Sequence, residues 1–223
     1  MIISRTPLRM SFAGGGSDLP SYYRQFGGAV LSTAIDQYVY VNVNKKFDQG
    51  IRVGYSKNEE VSAEYLSKAT DAQTLAQDAC HIEIDLCQEP IGKQDQYAAA
   101  FGGFNFIEFH PDESVTVSPI VCSTNTYQTL QDNLLVLYTG KTRSASALLK
   151  EQSAQLAHDA QKINAMHQMV QLAQDLRQEL LANRLDSMGE ILHAGWMLKK
   201  SLVTGISESE IDHWYALGMA AGA

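Results

Sequence analysis

Long apolar runs, basic clusters and paired cysteines are all missing from this sequence. No apolar stretch approaches the roughly 20 residues that cross a bilayer, so no membrane partner is expected. No run of Lys and Arg exists, and the net charge is −8 with a pI near 5.2. That balance argues against a general nucleic-acid binder, and any anionic ligand needs local cations or backbone amides. The N-terminus, Met1-Ile-Ile-Ser-Arg-Thr-Pro7, lacks the basic and then apolar regions of a signal peptide. The three cysteines, Cys80, Cys87 and Cys122, are odd in number and lack metal-ligand spacing. They read as free thiols of a reducing compartment, and the expected location is cytoplasmic. Cys80 and Cys87 read as helix packing residues. The six histidines show no metal spacing, and Trp196 and Trp214 read as helix core.

What is present fits an ordinary globular chain of 223 residues, 45% hydrophobic and 19% charged. That length makes one large or two small domains. A composition shift near residue 125 suggests a mixed domain over 1–125 and a helix-rich one over 126–223. Residues 2–12 read as a strand, with Arg9 and Ser11 on one face and Leu8, Met10 and Phe12 on the other. Three glycines, Gly14 to Gly16, follow, and Ser17 or Asp18 could cap a helix over 19–26 that Gly27-Gly28 ends. Residues 29–33, 35–44 and 51–55 read as strands. Thr70-Asp-Ala-Gln73 fits a capping box for a helix whose buried stripe holds Ala72, Leu75, Ala76, Ala79, Ile82 and Leu86. Glu83 lies on or beside that stripe, where a carboxylate needs either a cationic partner or a metal. Residues 104–110 and 114–120 read as a hairpin, and 133–139 as a buried strand. Helices are expected over 145–180, 185–201 and 208–221.

Three groups carry candidate chemistry. Asp95 sits among amides in Ile91-Gly-Lys-Gln-Asp-Gln-Tyr97, ahead of Gly102-Gly103. A carboxylate there suits the acceptor side of phosphoryl transfer, with Arg9 to hold it; a structural Arg–Asp bridge is the plainer reading. The Gly14-Gly15-Gly16-Ser17-Asp18 loop is neither a P-loop nor a dinucleotide fingerprint. Asp18 would repel phosphate yet accept sugar hydroxyls, which assigns the loop to a sugar. Lys141-Thr-Arg143-Ser144, between a strand and a helix, is either an anion site or a solvated cap.

Pro7-Leu8-Arg9, Ala13-Gly-Gly-Gly-Ser-Asp18, Ala79-Cys-His-Ile-Glu83-Ile-Asp85, Glu89-Pro-Ile-Gly-Lys-Gln-Asp95, Phe101-Gly-Gly-Phe-Asn-Phe106 and Tyr138-Thr-Gly-Lys-Thr-Arg-Ser144 together resemble the GHMP kinases. Within that family they are most similar to the D-glycero-D-manno-heptose 7-phosphate 1-kinases. The resemblance implies an α+β fold of two domains and an enzyme using ATP and Mg²⁺. It would phosphorylate the anomeric hydroxyl of a small-molecule sugar phosphate. By the same resemblance Asp95 is the catalytic carboxylate and Arg9 its partner. Gly16, Ser17 and Asp18 face the sugar, and Glu83, 12 positions before Asp95 (95 − 83), is the Mg²⁺ ligand. Arg143 and Ser144 are assigned the 7-phosphate. A fucose- or galactose-type kinase is the alternative, and a homodimer is allowed.

The sequence departs from the family at the phosphate loops. Residues 56–70 contain no glycine, where the family carries Pro-x-Gly-x-Gly-Leu-Gly-Ser-Ser-Ser. The family's C-terminal Gly-rich loop would follow Met219-Ala-Ala-Gly-Ala223, so the second domain is expected to be incomplete. The expectation is a longer active protein with segments absent, one of them between Lys57 and Lys68. The alternative is a shortened relative that binds sugar phosphate without nucleotide.

Overall fold

Residues 28–45 carry the alternating β-branched and aromatic side chains of a strand, and the fold is laid out around them. The structure, a computed structural model, describes residues 2–45, 51–54, 58–61, 71–140, 145–156 and 158–223. Strand β2 (Gly28–Lys45) runs unbroken where the pattern suggested two strands. Along one edge it pairs antiparallel with β1 (Ile2–Ala13). Along the other it pairs with β5 (Phe104–Phe109) near its start and with β3 (Ile51–Gly54) near its end. Strands β4 (Asn58–Val61) and β6 (Val115–Pro119) complete six antiparallel strands. The register of β1 shifts between Pro7 and Arg9 and again between Ser11 and Ala13. Such bulges re-aim side chains, and these two bracket Arg9 and Ser11.

Both faces of the central strands are covered. Leu31 and Phe106 point into one core with Phe12, Leu130, Leu176 and Ile191. Their neighbours Val30 and Ile107 point into the other with Tyr23, Ala76, Tyr97 and Phe109. Period-two alternation with apolar residues on both faces is the signature of a sheet between two helix layers. The first layer is α4 (Thr124–Asp132), α6 (Ala160–Leu181) and α7 (Met188–Leu202). The second includes α2 (Ala72–Cys80) and α3 (Gln94–Phe101). The first core therefore joins residues from both sides of position 125. A third cluster seats Leu19 and Tyr22, beside and within α1 (Pro20–Phe26), against α6 and Leu156 of α5 (Ala145–Leu156). Helix α8 (Ser209–Ala220) ends the chain.

Several sequence expectations are corrected. The run Leu135-Val-Leu-Tyr138 is not a buried strand: residues 134–140 lack regular structure, and these four side chains are 65–85% exposed. An apolar strand needs a sheet to join, and among the described residues no strand pairs with it. The helix over 145–180 is two helices, because Asp159 starts a new one by accepting the Gln161 and Lys162 amides. Asp71, not Thr70, caps α2, accepting Thr74 N–H at 2.8 Å. Beyond Cys80, residues His81–Leu86 switch to a π-helix, which rotates the expected stripe. Ala76 and Cys80 are buried, whereas Leu75, Leu86, Cys87 and Glu83 are exposed. Trp214 is 40% exposed and is not core. Strand β4 and helix α4 have no counterpart in the sequence reading.

The β5–β6 turn is tied back to α1 and the approach to α3 through Glu113. Its carboxylate accepts from Tyr23 Oη, Arg24 Nε and Lys93 Nζ at 2.5–2.6 Å. Burial alone would raise its pKa, but the hydrogen bonds from Lys93, Tyr23 and Arg24 outweigh it and hold the group at about 2, against an ordinary 4.5. A depressed folded value means stability that is complete above the unfolded pKa and lost on acidification. Glu113→Gln should therefore lower the thermal midpoint at neutral pH. The deficit should shrink as pH falls from about 4.5 toward 2. A deficit undiminished at the acid end would refute the ionic account.

Candidate active site

Two segments far apart in sequence meet at one carboxylate. Asp18 is buried, and its Oδ1 accepts Gly16 N–H while its Oδ2 accepts Gln94 N–H, both at 3.1 Å. The first bond shapes the 14–16 loop, and the second pins that loop to the start of α3. Gly92 makes the approach feasible, since a Cβ there would stand 1.9 Å from Asp18 Oδ2. Gly16 has φ +102°, and a Cβ on it would meet Gln152 Nε2 at 2.5 Å and Lys199 Nζ at 3.0 Å. Ser17 is fully buried, its Oγ donating to Ala29 O and accepting from Ala29 N, both at 3.1 Å. Neither Ser17 nor Asp18 caps α1, whose N-cap is Leu19 with Pro20 behind it.

This clamp brings α3 against β1. Arg9 Nε donates to Asp95 Oδ1 at 2.6 Å, and Arg9 Nη1 donates to Ser11 Oγ at 3.2 Å. Ser11 Oγ also accepts from the buried Gln94 amide. Asp95 stands in the first turn of α3, where the helix dipole favours a negative charge. Its side chain is 68% exposed while Arg9 is 29% exposed. The cation is thus the seated partner and the carboxylate faces solvent, where it can meet a ligand. Glu83 lies behind, its carboxylate accepting from the buried Gln96 amide. It is exposed, not on a buried stripe, so burial does not force a cationic partner on it.

Lys141, Arg143 and Ser144 lie outside the described residues. Just after them, Ser146 Oγ donates to Glu89 Oε2 at 3.0 Å, which brings the start of α5 to the segment that leads into Asp95.

Lys199 is a site residue that the sequence reading missed. It reaches from α7 to the glycine loop, donating to Gly15 O at 3.0 Å. Burial pulls its ammonium pKa below the ordinary range, with Asp18 opposing that shift and Arg9 adding to it. Beside it lies a cavity of about 290 Å³ between the loop and α7, lined by Ser11, Gly14, Gly15, Trp196 and Lys199 together with apolar side chains. Trp196 is therefore a cavity wall and not interior packing. Lys199 had no readable signal, because Leu198-Lys-Lys200 resembles any basic helix end.

No family model matches the chain. A curated relative, D-glycero-alpha-D-manno-heptose 7-phosphate kinase of Campylobacter jejuni, is 25% identical over 285 positions, covering 100% of this chain and 84% of its own. A crystal structure titled as a D-glycero-D-manno-heptose 1-phosphate kinase from Bacteroides thetaiotaomicron superposes with a TM-score of 0.68 at 23% identity, covering 92% of this chain and 81% of that one. Phosphomevalonate kinase of Streptococcus pneumoniae, solved with phosphomevalonate and AMPPNP, gives a TM-score of 0.64 at 10% identity, covering 92% and 82%. The chain has a GHMP-kinase-like fold. The resemblance carried by the motifs is borne out, and with it the reading as a kinase-type enzyme. The bifunctional fucokinase/GDP-fucose pyrophosphorylase of Arabidopsis thaliana is 28% identical over 124 residues, covering 54% of this chain and 12% of its own. The Campylobacter match runs 62 positions beyond the 223 residues here (285 − 223), so that relative has positions without a counterpart in this chain.

The clamp makes a stability prediction. Gly92→Ala must displace the Asp18 carboxylate and should cost about 1–3 kcal/mol in urea unfolding. Gly189→Ala, at an exposed helical position with open space around it, should stabilise by about 0.5–1 kcal/mol. Equal effects at the two sites would show that Gly92 does not serve Asp18.

Proposed function

We propose that this chain is an ATP-dependent sugar kinase that phosphorylates the anomeric hydroxyl of D-glycero-D-manno-heptose 7-phosphate, giving the 1,7-bisphosphate. The observation that carries the reading is the Arg9–Asp95 pair: an exposed carboxylate at a helix start, held at 2.6 Å by a seated guanidinium beside a sugar-sized cavity. Full-length similarity to a heptose 7-phosphate kinase supports this substrate over others.

Asp95 accepts the proton of the attacking hydroxyl. Arg9 fixes the carboxylate's orientation through its 2.6 Å hydrogen bond. The backbone of the 14–16 loop approaches the sugar, and Asp18 has lone pairs left for a sugar hydroxyl beyond its two amide bonds. The reading places the molecule in the cytoplasm, as unpaired cysteines favour a reducing compartment. Among the described residues no helix is long and apolar enough to cross a membrane.

ATP supplies the phosphoryl group and Mg²⁺ offsets its charge. Glu83 fits the metal as an exposed carboxylate. Among the described residues no group of three His, Cys, Asp or Glu could hold a metal. An ion here would be held by this one carboxylate and nucleotide phosphates. For the triphosphate itself, the described residues offer no second glycine-rich turn of the family's kind, and its contacts do not enter the mechanism. The second reading is a sugar-phosphate binder without catalysis, and the half-chain likeness to a fucokinase offers fucose as the other acceptor.

Asp95→Asn keeps size and hydrogen bonding to Arg9 but cannot take the proton. In a coupled assay with ATP, Mg²⁺ and heptose 7-phosphate, kcat should fall about 10²–10⁴-fold with little change in the sugar-phosphate KM. Unchanged kcat would remove Asp95 from the mechanism. Wild-type activity on fucose with none on the heptose phosphate would move the substrate.

A further inference from the structure

We propose that the cavity between the 14–16 loop and α7 is the subsite for the phosphate-bearing end of the acceptor, with Lys199 and the Trp196 indole N–H as its polar contacts. The proposal rests on the kinase reading and names how the acceptor lies in that same site.

Trp196 and Lys199 stand three residues apart on α7, hence on one face of it, and both line the cavity. Trp196 Nε1 is buried with no hydrogen-bond partner among the described residues. A buried donor left unpaired is costly, and a ligand acceptor that draws the ring edge toward the cavity would satisfy it. Lys199 has three N–H groups. One goes to Gly15 O at 3.0 Å, and Gln152 Oε1 is at the limit of reach at 3.5 Å. Donor capacity is therefore left on the one cation of the cavity wall. No carboxylate lines the cavity among the described residues, and Asp18 is committed to two backbone amides. Two donors, one of them cationic, select an anionic acceptor group, and phosphate fits better than a hydroxyl.

The rest of the wall is apolar: Phe12, Met169, Leu172 and Leu192 suit the C–H faces of a carbon chain. Ser11 also lines the cavity, and its Oγ accepts from Arg9, which holds Asp95. A phosphosugar laid along this path has its reacting hydroxyl near Asp95 and its phosphate near Lys199. The volume, about 290 Å³, is at the small end of ligand sites and suits a monosaccharide.

Isothermal titration of the full chain without nucleotide tests this, using D-glycero-D-manno-heptose 7-phosphate and the unphosphorylated heptose. Wild type should prefer the phosphosugar. Lys199→Met should weaken the phosphosugar about tenfold or more relative to the free heptose, so that the preference collapses. A variant that keeps the wild-type preference overturns the subsite while the kinase reading stands. Wild type that binds neither sugar overturns both. Should Lys199→Met fail to fold by circular dichroism, Trp196 fluorescence in a Trp214→Phe background decides. A saturable change with the phosphosugar supports the subsite. A flat signal while calorimetry records binding overturns it, as does an equal response to inorganic phosphate alone.

Discussion

The candidate site depends on one buried carboxylate held by two backbone N–H groups. A charge with Asp18's burial is tolerated only when its oxygens are paired, and here they are paired with Gly16 and Gln94, 78 residues apart (94 − 16). The Gly16 bond sets the loop after β1, and the Gln94 bond sets the first turn of α3. Because Arg9 sits on β1 and Asp95 on α3, their 2.6 Å contact inherits its geometry from Asp18. The glycines follow from the same constraint. Gly92 makes room for the carboxylate, and Gly16 makes room for Gln152 and Lys199.

Around that clamp the molecule separates fixed from available groups. Ser17 and Gln94 are buried and spent on architecture, and Asp18 is buried with two backbone amides bonded to it. Asp95 and Glu83 are exposed carboxylates, each held by a better-buried partner, Arg9 and Gln96. Held but open groups are what a phosphoryl-transfer site needs, since its catalysis comes from positioning and electrostatics and little from covalent chemistry. Lys199 is intermediate: it props the loop through Gly15 and keeps donor capacity at a cavity wall.

Much of this was legible in the sequence where local chemistry repeats a pattern. Alternation located β1 and most of β2, the His110-Pro-Asp-Glu113 turn located β5 and β6, and glycine and acid spacing picked out Asp95, Arg9 and the 14–16 loop. Four features were illegible for identifiable reasons. The π-helical turn after Cys80 changes the helical period, so Glu83 and Leu86 left the face that a 3.6-residue period assigns. Residues 133–139 have the composition of a buried strand, but composition cannot supply a neighbour. Helix α4 is polar, and its one signal was Ser123 capping Thr126 N–H at 3.1 Å. Lys199 and Trp196 gain meaning only from tertiary placement, because nothing local marks a lysine that reaches a loop 184 residues away.

The central claim is phosphoryl transfer to the anomeric position of a phosphosugar, and ³¹P NMR of the product tests it most directly. The purified chain is incubated with ATP, Mg²⁺ and D-glycero-D-manno-heptose 7-phosphate. The account predicts a new anomeric phosphate resonance, coupled to H1, growing as the γ-phosphate of ATP disappears while the 7-phosphate signal persists. Saturable binding of the sugar phosphate with no new resonance would contradict the claim and leave a sugar-phosphate binder in its place.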